Sequence, residues 1–71
     1  MEKHIKIDGL KCRHCRNDIQ DVLMTYPCVE WVQFEEDVLI LTLNEDMKDD
    51  EIIENIENCG NYKVVEIKVA S

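Results

Sequence analysis

Polar and apolar residues alternate through HIKID. This places Ile5 and Ile7 on one face, the period of a half-buried strand, and Gly9 ends it. From about Arg13 to Tyr26 the period changes. Ile19, Val22, Leu23 and Tyr26 fall at i, i+3, i+4 and i+7, the apolar stripe of an amphipathic helix that Pro27 stops. VEWVQF and VLILTL are rich in strand formers and are separated by the polar EED, which predicts a hairpin whose turn lacks an Asn-Gly pair. Asp49 can cap a second helix, with Asp50 and Glu51 at the positive end of its dipole. The buried stripe of that helix would be Ile52, Ile53, Ile56 and Cys59, and Gly60 would end it. YKVVEIKV closes the chain as a strand with Val65, Ile67 and Val69 inward. The order is βαββαβ, which predicts an α+β, ferredoxin-like sandwich: a four-stranded antiparallel sheet with two helices on one face.

Chain direction then sorts the loops. The loop with Cys12 and Cys15 leaves the first strand at one end, and the hairpin turn and the Cys59–Gly60–Tyr62 segment return to that same end. Cys28 falls at the other, roughly 20 Å away by helix rise. On the second strand, Val32 and Phe34 facing the helices would turn Trp31 to the open sheet face with Val38 and Ile40, either as an interface patch or as cross-strand cover. His4 alternates outward, and NEDMKDDE reads as the cap and exposed first turn of the second helix.

The chain has 71 residues, room for one domain spanning 1–71 and one small core. Its formal net charge of −8 argues against a nucleic-acid surface, which needs a clustered basic face. The charge is also uneven. Met1 to Arg16 holds five basic residues (Lys3, Lys6, Lys11, Arg13, Arg16) and two acidic, whereas the remainder holds three basic and fourteen acidic. The basic end coincides with the cysteine pair. No apolar run reaches the roughly 18 residues of a membrane span, so membrane insertion is not expected. MEKHIKID has no apolar signal-like segment, and the expected setting is cytoplasmic. There thiols stay reduced, and a Cys-x-x-Cys pair is for metal or redox chemistry rather than stapling.

Two thiols separated by two residues, one in a turn and one in the first turn of a helix, can bring both sulfurs to one soft metal ion. The helix N-terminus and the charges of Lys11, Arg13 and Arg16 favour the thiolate form that binds metal, and also stabilise the anionic centre that two thiolates make with a monovalent ion. Sulfur donors select Cu(I), with Ag(I), Hg(II), Cd(II) and Zn(II) as competitors. Gly9 allows the tight turn out of the strand.

GLKCRHC on a strand-to-helix loop of a βαββαβ chain resembles the site of the heavy-metal-associated domain family, soft-metal carriers that include bacterial copper chaperones and the N-terminal domains of copper-transporting ATPases. IKIDGLKC, VEWV and IIENIENCGNYKV sit where the family has counterparts, so the resemblance spans nearly the whole chain. It implies that Cys12 and Cys15 bind Cu(I) in near-linear fashion and pass it by thiolate exchange to a partner, a metal-transporting ATPase or similar acceptor domain. The basic end of this chain predicts an acidic docking surface on that partner. Two copies could instead meet head to head in a metal-bridged homodimer.

Three positions depart from the family pattern. Leu10 replaces the methionine that anchors the loop in the core, and leucine can fill that space. Cys28 stands where glycine is common before the second strand. CGNYKV holds one residue, Asn61, more than the common Gly-Tyr or Gly-Phe, which bears on where Tyr62 sits.

Beyond the pair, His14 reads either as a solvent-facing side chain or as an occasional third ligand. Cys59 either completes an apolar stripe or supplies a third sulfur, and Tyr62 either packs over the metal loop or closes the core. The expected function is metal carriage and not catalysis. A thiol oxidoreductase could use the same pair, but Pro27 is badly placed to face it and the chain is short for a thioredoxin-like domain. Zn(II) prefers four ligands, more than one chain offers here.

Overall fold

The computed structural model describes residues 1–10 and 13–70. Its elements run β1 (Glu2–Asp8), α1 (Arg13–Leu23), β2 (Val29–Glu35), β3 (Val38–Leu43), α2 (Asp49–Glu57) and β4 (Lys63–Val69). The four strands form one sheet in the order β2-β3-β1-β4, with every neighbouring pair antiparallel. This is the predicted ferredoxin-like arrangement. Inward residues of the sheet, Ile5, Ile7, Val32, Leu39 and Leu41 among them, meet Ile19 and Leu23 of α1 and Ile52 and Ile56 of α2 in one core. The strand residues follow a period of two and the helix residues a period near 3.6, so both patterns converge on the same buried layer.

Several elements differ from their sequence expectation, each for a local reason. Helix α1 stops at Leu23 rather than Tyr26, because Thr25 N–H bonds Val22 O and Tyr26 N–H bonds Leu23 O, tightening the end into i→i−3 turns. Tyr26 stays half-buried and donates its hydroxyl to Asn55 Oδ1 on α2 at 3.0 Å. Lys48, not Asp49, occupies the N-cap of α2, without a side-chain cap bond. That helix ends at Glu57 with Asn58 as its C-cap, before Gly60, and Ile53 and Cys59 are only half-buried. In β4 the register shifts: Ile5 pairs with Ile67 and Lys6 with Glu66, but Ile7 pairs with Val64. Val65 is the extra residue of this bulge and is 58% exposed, so Val64 takes the inward place that alternation had given to Val65. Val69 is also exposed, at the sheet edge.

Trp31 is 56% exposed on the open face, opposite Thr42 and in the same row system as Ile40 and Val38. His4 faces the same way, its Nε2 2.8 Å from Glu2 Oε2.

The acidic stretch before α2 is not merely solvated. Met47 is 3% exposed and belongs to the core, and beside it lies Lys3, a buried cation at 4% exposure. Lys3 shares the inward face of β1 with Ile5 and Ile7. Its Nζ donates to Met47 O at 2.7 Å and lies 3.0 Å from Asp49 Oδ1 and 3.1 Å from Asp46 Oδ1. Burial disfavours its charge, but the hydrogen bonds and charges of Asp49 and Asp46 outweigh that cost and hold Lys3 above the ordinary lysine value. The carboxylate that sequence assigned to capping α2 therefore serves Lys3 instead.

At the other end of β1 the chain turns through Gly9, whose φ is +98°. A methyl group there would lie 2.8 Å from Asn61 O and 3.6 Å from Tyr62 Cδ1, so both conformation and space demand glycine. Gly60 is close to the same ring: a methyl group on it would lie 2.9 Å from Tyr62 Cε2. The end of β1 and the segment after α2 are thus packed backbone to backbone. Leu10 follows and packs against the core.

Two consequences can be measured. Gly9→Ala should lower the unfolding free energy in urea by about 2 kcal/mol or more, since it combines a left-handed backbone with a backbone clash; a loss below about 0.5 kcal/mol would show that the approach to Asn61 is not tight. Lys3→Met should cost about 1–2 kcal/mol at neutral pH, at the low end for a buried cation because both carboxylates are solvent-exposed. Because the Lys3 value is raised on folding, its contribution is complete below the ordinary 10.5 and fades as pH rises through the raised value. The wild-type curve should converge on that of Lys3→Met in that alkaline range, and parallel curves would refute the assignment.

Candidate metal centre

The candidate site lies where β1 gives way to α1. Lys11, Cys12 and the side chain of Arg13 lie outside the described residues, so the site is built from its flanks. Cys15 is the third residue of α1 and is half-buried, in the first helical turn where amide N–H groups carry partial positive charge. That first turn contains no acidic residue, whereas α2 opens with Asp49, Asp50 and Glu51. A helix start rich in cations opposes its own dipole, but it favours an anion bound there. His14 is exposed, the arrangement expected of a solvent-facing side chain.

Arg16 is half-buried and engaged. Its Nη2 donates to Glu36 O at 2.8 Å, and its guanidinium carbon lies 5.9 Å from the centre of the Phe34 ring. Sequence reading assigned Arg16 only to charge compensation and missed these contacts. The available signals were the polar EED turn and the topology that brings it to the same end of the fold. Tyr62, half-buried, packs against the core, and its ring lies along Gly9 and Gly60; any packing over Lys11 and Cys12 lies outside the described residues. The extra residue, Asn61, supplies the carbonyl that abuts Gly9.

Cys59 is half-buried against the core, and its Sγ donates to Asn55 O one turn earlier at 3.2 Å. Burial, and secondarily the Asp18 carboxylate on α1, push its thiol above the ordinary value. A thiol that is protonated and already hydrogen-bonded is a poor metal donor, so these features favour the core role. Cys28 is half-buried next to the start of β2, where its carbonyl accepts from Asn44 N–H, at the opposite end of the fold. Among the described residues, no group of three or more His, Cys, Asp or Glu side chains is placed to hold a metal ion. No described helix is long and apolar enough to cross a membrane.

Comparison with known proteins agrees with this arrangement. A copper-binding domain of a P-type ATPase superimposes with a TM-score of 0.75 at 20% identity, covering 97% of this chain and 100% of that one. The yeast copper transporter domain CCC2A, solved in apo and Cu(I)-loaded states, gives 0.77 at 24% identity over 92% and 94% of the two chains. Apo-CopP from Helicobacter pylori gives 0.76 at 16% identity over 92% and 100%. At these identities the likeness is one of fold. No curated protein sequence matches the chain. The sequence profile of the heavy-metal-associated domain matches residues 4–62, from the first strand to the tyrosine that packs on Gly9 and Gly60, and the chain belongs to that family.

Proposed function

We propose that this protein is a Cu(I) carrier and not an enzyme: Cys12 and Cys15 hold the ion as thiolates and release it to a partner by stepwise sulfur exchange. The observation that carries this reading is the Cys-x-x-Cys pair at the β1–α1 junction of a chain that belongs to the heavy-metal-associated domain family, with Cys15 in a helical first turn free of carboxylates. Two soft donors suit a monovalent soft ion, and a low coordination number leaves room for an incoming sulfur. Ag(I) and Hg(II) can occupy the same donor set, whereas Zn(II) and Cd(II) favour more ligands. Lys11, Arg13 and the helix end offset the negative charge of the loaded centre. The partner in this reading is an acceptor domain, such as that of a metal-transporting ATPase, that presents acidic groups to the basic residues of this loop. A metal-bridged homodimer is the alternative use of the same two sulfurs, and the proposed setting is cytoplasmic.

In competition against a Cu(I) chelator, Cys12→Ser or Cys15→Ser should lower affinity on the order of 100-fold or more, the equivalent of roughly 3 kcal/mol for a lost metal–thiolate bond. Unchanged affinity would reject the pair as the site. Cys59→Ser should leave affinity within about two-fold, since its thiol is protonated and committed to Asn55 O; a drop of about ten-fold would make it a third ligand.

A further inference from the structure

The two-residue turn between β2 and β3 is bound to both flanks of the candidate metal loop. Asp37 O accepts from the Ile7 amide of β1 at 2.9 Å, outside the regular ladder. Glu36 O accepts from Arg16 Nη2 of α1 at 2.8 Å, and the same guanidinium lies over Phe34, near the end of β2. Ile7 precedes Cys12 in the chain and Arg16 immediately follows Cys15. The turn also carries a strained residue: Glu36 has a φ of +55°, a left-handed conformation that a side-chain-bearing residue keeps only where its surroundings hold it. A strained carbonyl that meets a planar cation on the neighbouring helix is a fixed geometric link.

We infer that Arg16 is a positioning residue: it latches the first turn of α1 to the β2–β3 turn and so fixes where Cys15 stands before metal arrives. This rests on the proposed role of Cys12 and Cys15. The first turn of α1 needs such a link, because it holds cations where the dipole favours anions and has no carboxylate of its own. A pre-ordered donor loses less conformational freedom when it binds, so the latch raises affinity by lowering the cost of ordering. Arginine is specific to the task. Its flat, multi-donor head can stack on Phe34 while it donates to Glu36 O, and a lysine ammonium cannot do both.

Arg16→Lys separates this role from simple charge compensation, because the charge stays and the link is lost. In the metal-free protein, hydrogen exchange at the Asn17 and Asp18 amides, which close the first hydrogen-bonded turn after Cys15, should accelerate about three- to ten-fold, the scale of one net hydrogen bond, while the β3 amides keep wild-type protection. Cu(I) affinity should fall by a similar factor. Glu36→Asn, which tolerates the left-handed backbone and retains the carbonyl, should leave both readings within about two-fold. Wild-type exchange at Asn17 and Asp18 in Arg16→Lys would overturn the latch whatever the metal result. Faster exchange with unchanged Cu(I) affinity would overturn its positioning role. If the cysteine-to-serine variants of Cys12 and Cys15 bind Cu(I) normally, the underlying site assignment fails instead, and the metal-free exchange result still reports on the link.

Discussion

The placement of β1 in the middle of the sheet, bonded to β3 on one side and β4 on the other, governs the rest of the architecture. A central strand has no freedom to slide, because a one-residue slip would turn Ile5 and Ile7, both fully buried, out of the core. Its end is therefore fixed, and with it the point from which the cysteine loop departs. Gly9 then bends the chain against the Asn61 carbonyl, and Leu10 enters the edge of the core. The flank of the loop is set by packing before the loop itself contributes any interaction.

Opposite ends of the molecule use one device. Lys3 donates to the carbonyl of Met47 in the segment before α2, and Arg16 donates to the carbonyl of Glu36 in the β2–β3 turn. In each case a cation crosses between elements to satisfy a loop carbonyl, and a cation gives a stronger hydrogen bond than a neutral donor. The environments differ. Lys3 is buried and flanked by two carboxylates, which makes it a structural tie. Arg16 is only half-buried, rests on an aromatic ring and adjoins Cys15 in sequence, so its effect is felt where the proposed chemistry occurs.

Much of this was legible in the chain because period determines placement. Ile5 with Ile7, Ile19 with Leu23, and Ile52 with Ile56 announced their elements, and the βαββαβ order restricted the topology. The parts that escaped depend on contacts between distant residues. Strict alternation carried Lys3 to the inward face, but only the arrival of Asp46 and Asp49 makes that position tenable. Met47 was hidden by its acidic neighbours. The bulge at Val65 could not be read, because β4 offers apolar residues in both phases, Val64 as well as Val65, and the partner strand decides between them. At the site, position in the loop order brought Tyr62 and the EED turn to the cysteine end, but the Arg16 contact depends on the backbone of Glu36, which leaves no trace in side-chain identity.

The contrast between two half-buried cysteines shows how one fold can sort equivalent sulfurs. Cys59, just beyond α2, lies at the negative pole of that helix, has Asp18 as a neighbour and donates a hydrogen bond to the Asn55 carbonyl. Cys15, at the start of α1, sits at a positive pole in a turn without carboxylates. Burial and the Asp18 carboxylate thus raise the Cys59 thiol, while Cys15 stands at a helix start whose partial charge is positive, although both residues belong to the same end of the molecule. In the proposed reading, a protonated third sulfur matters as much as two ionised ones, because an additional thiolate would close the coordination shell that an incoming partner has to enter.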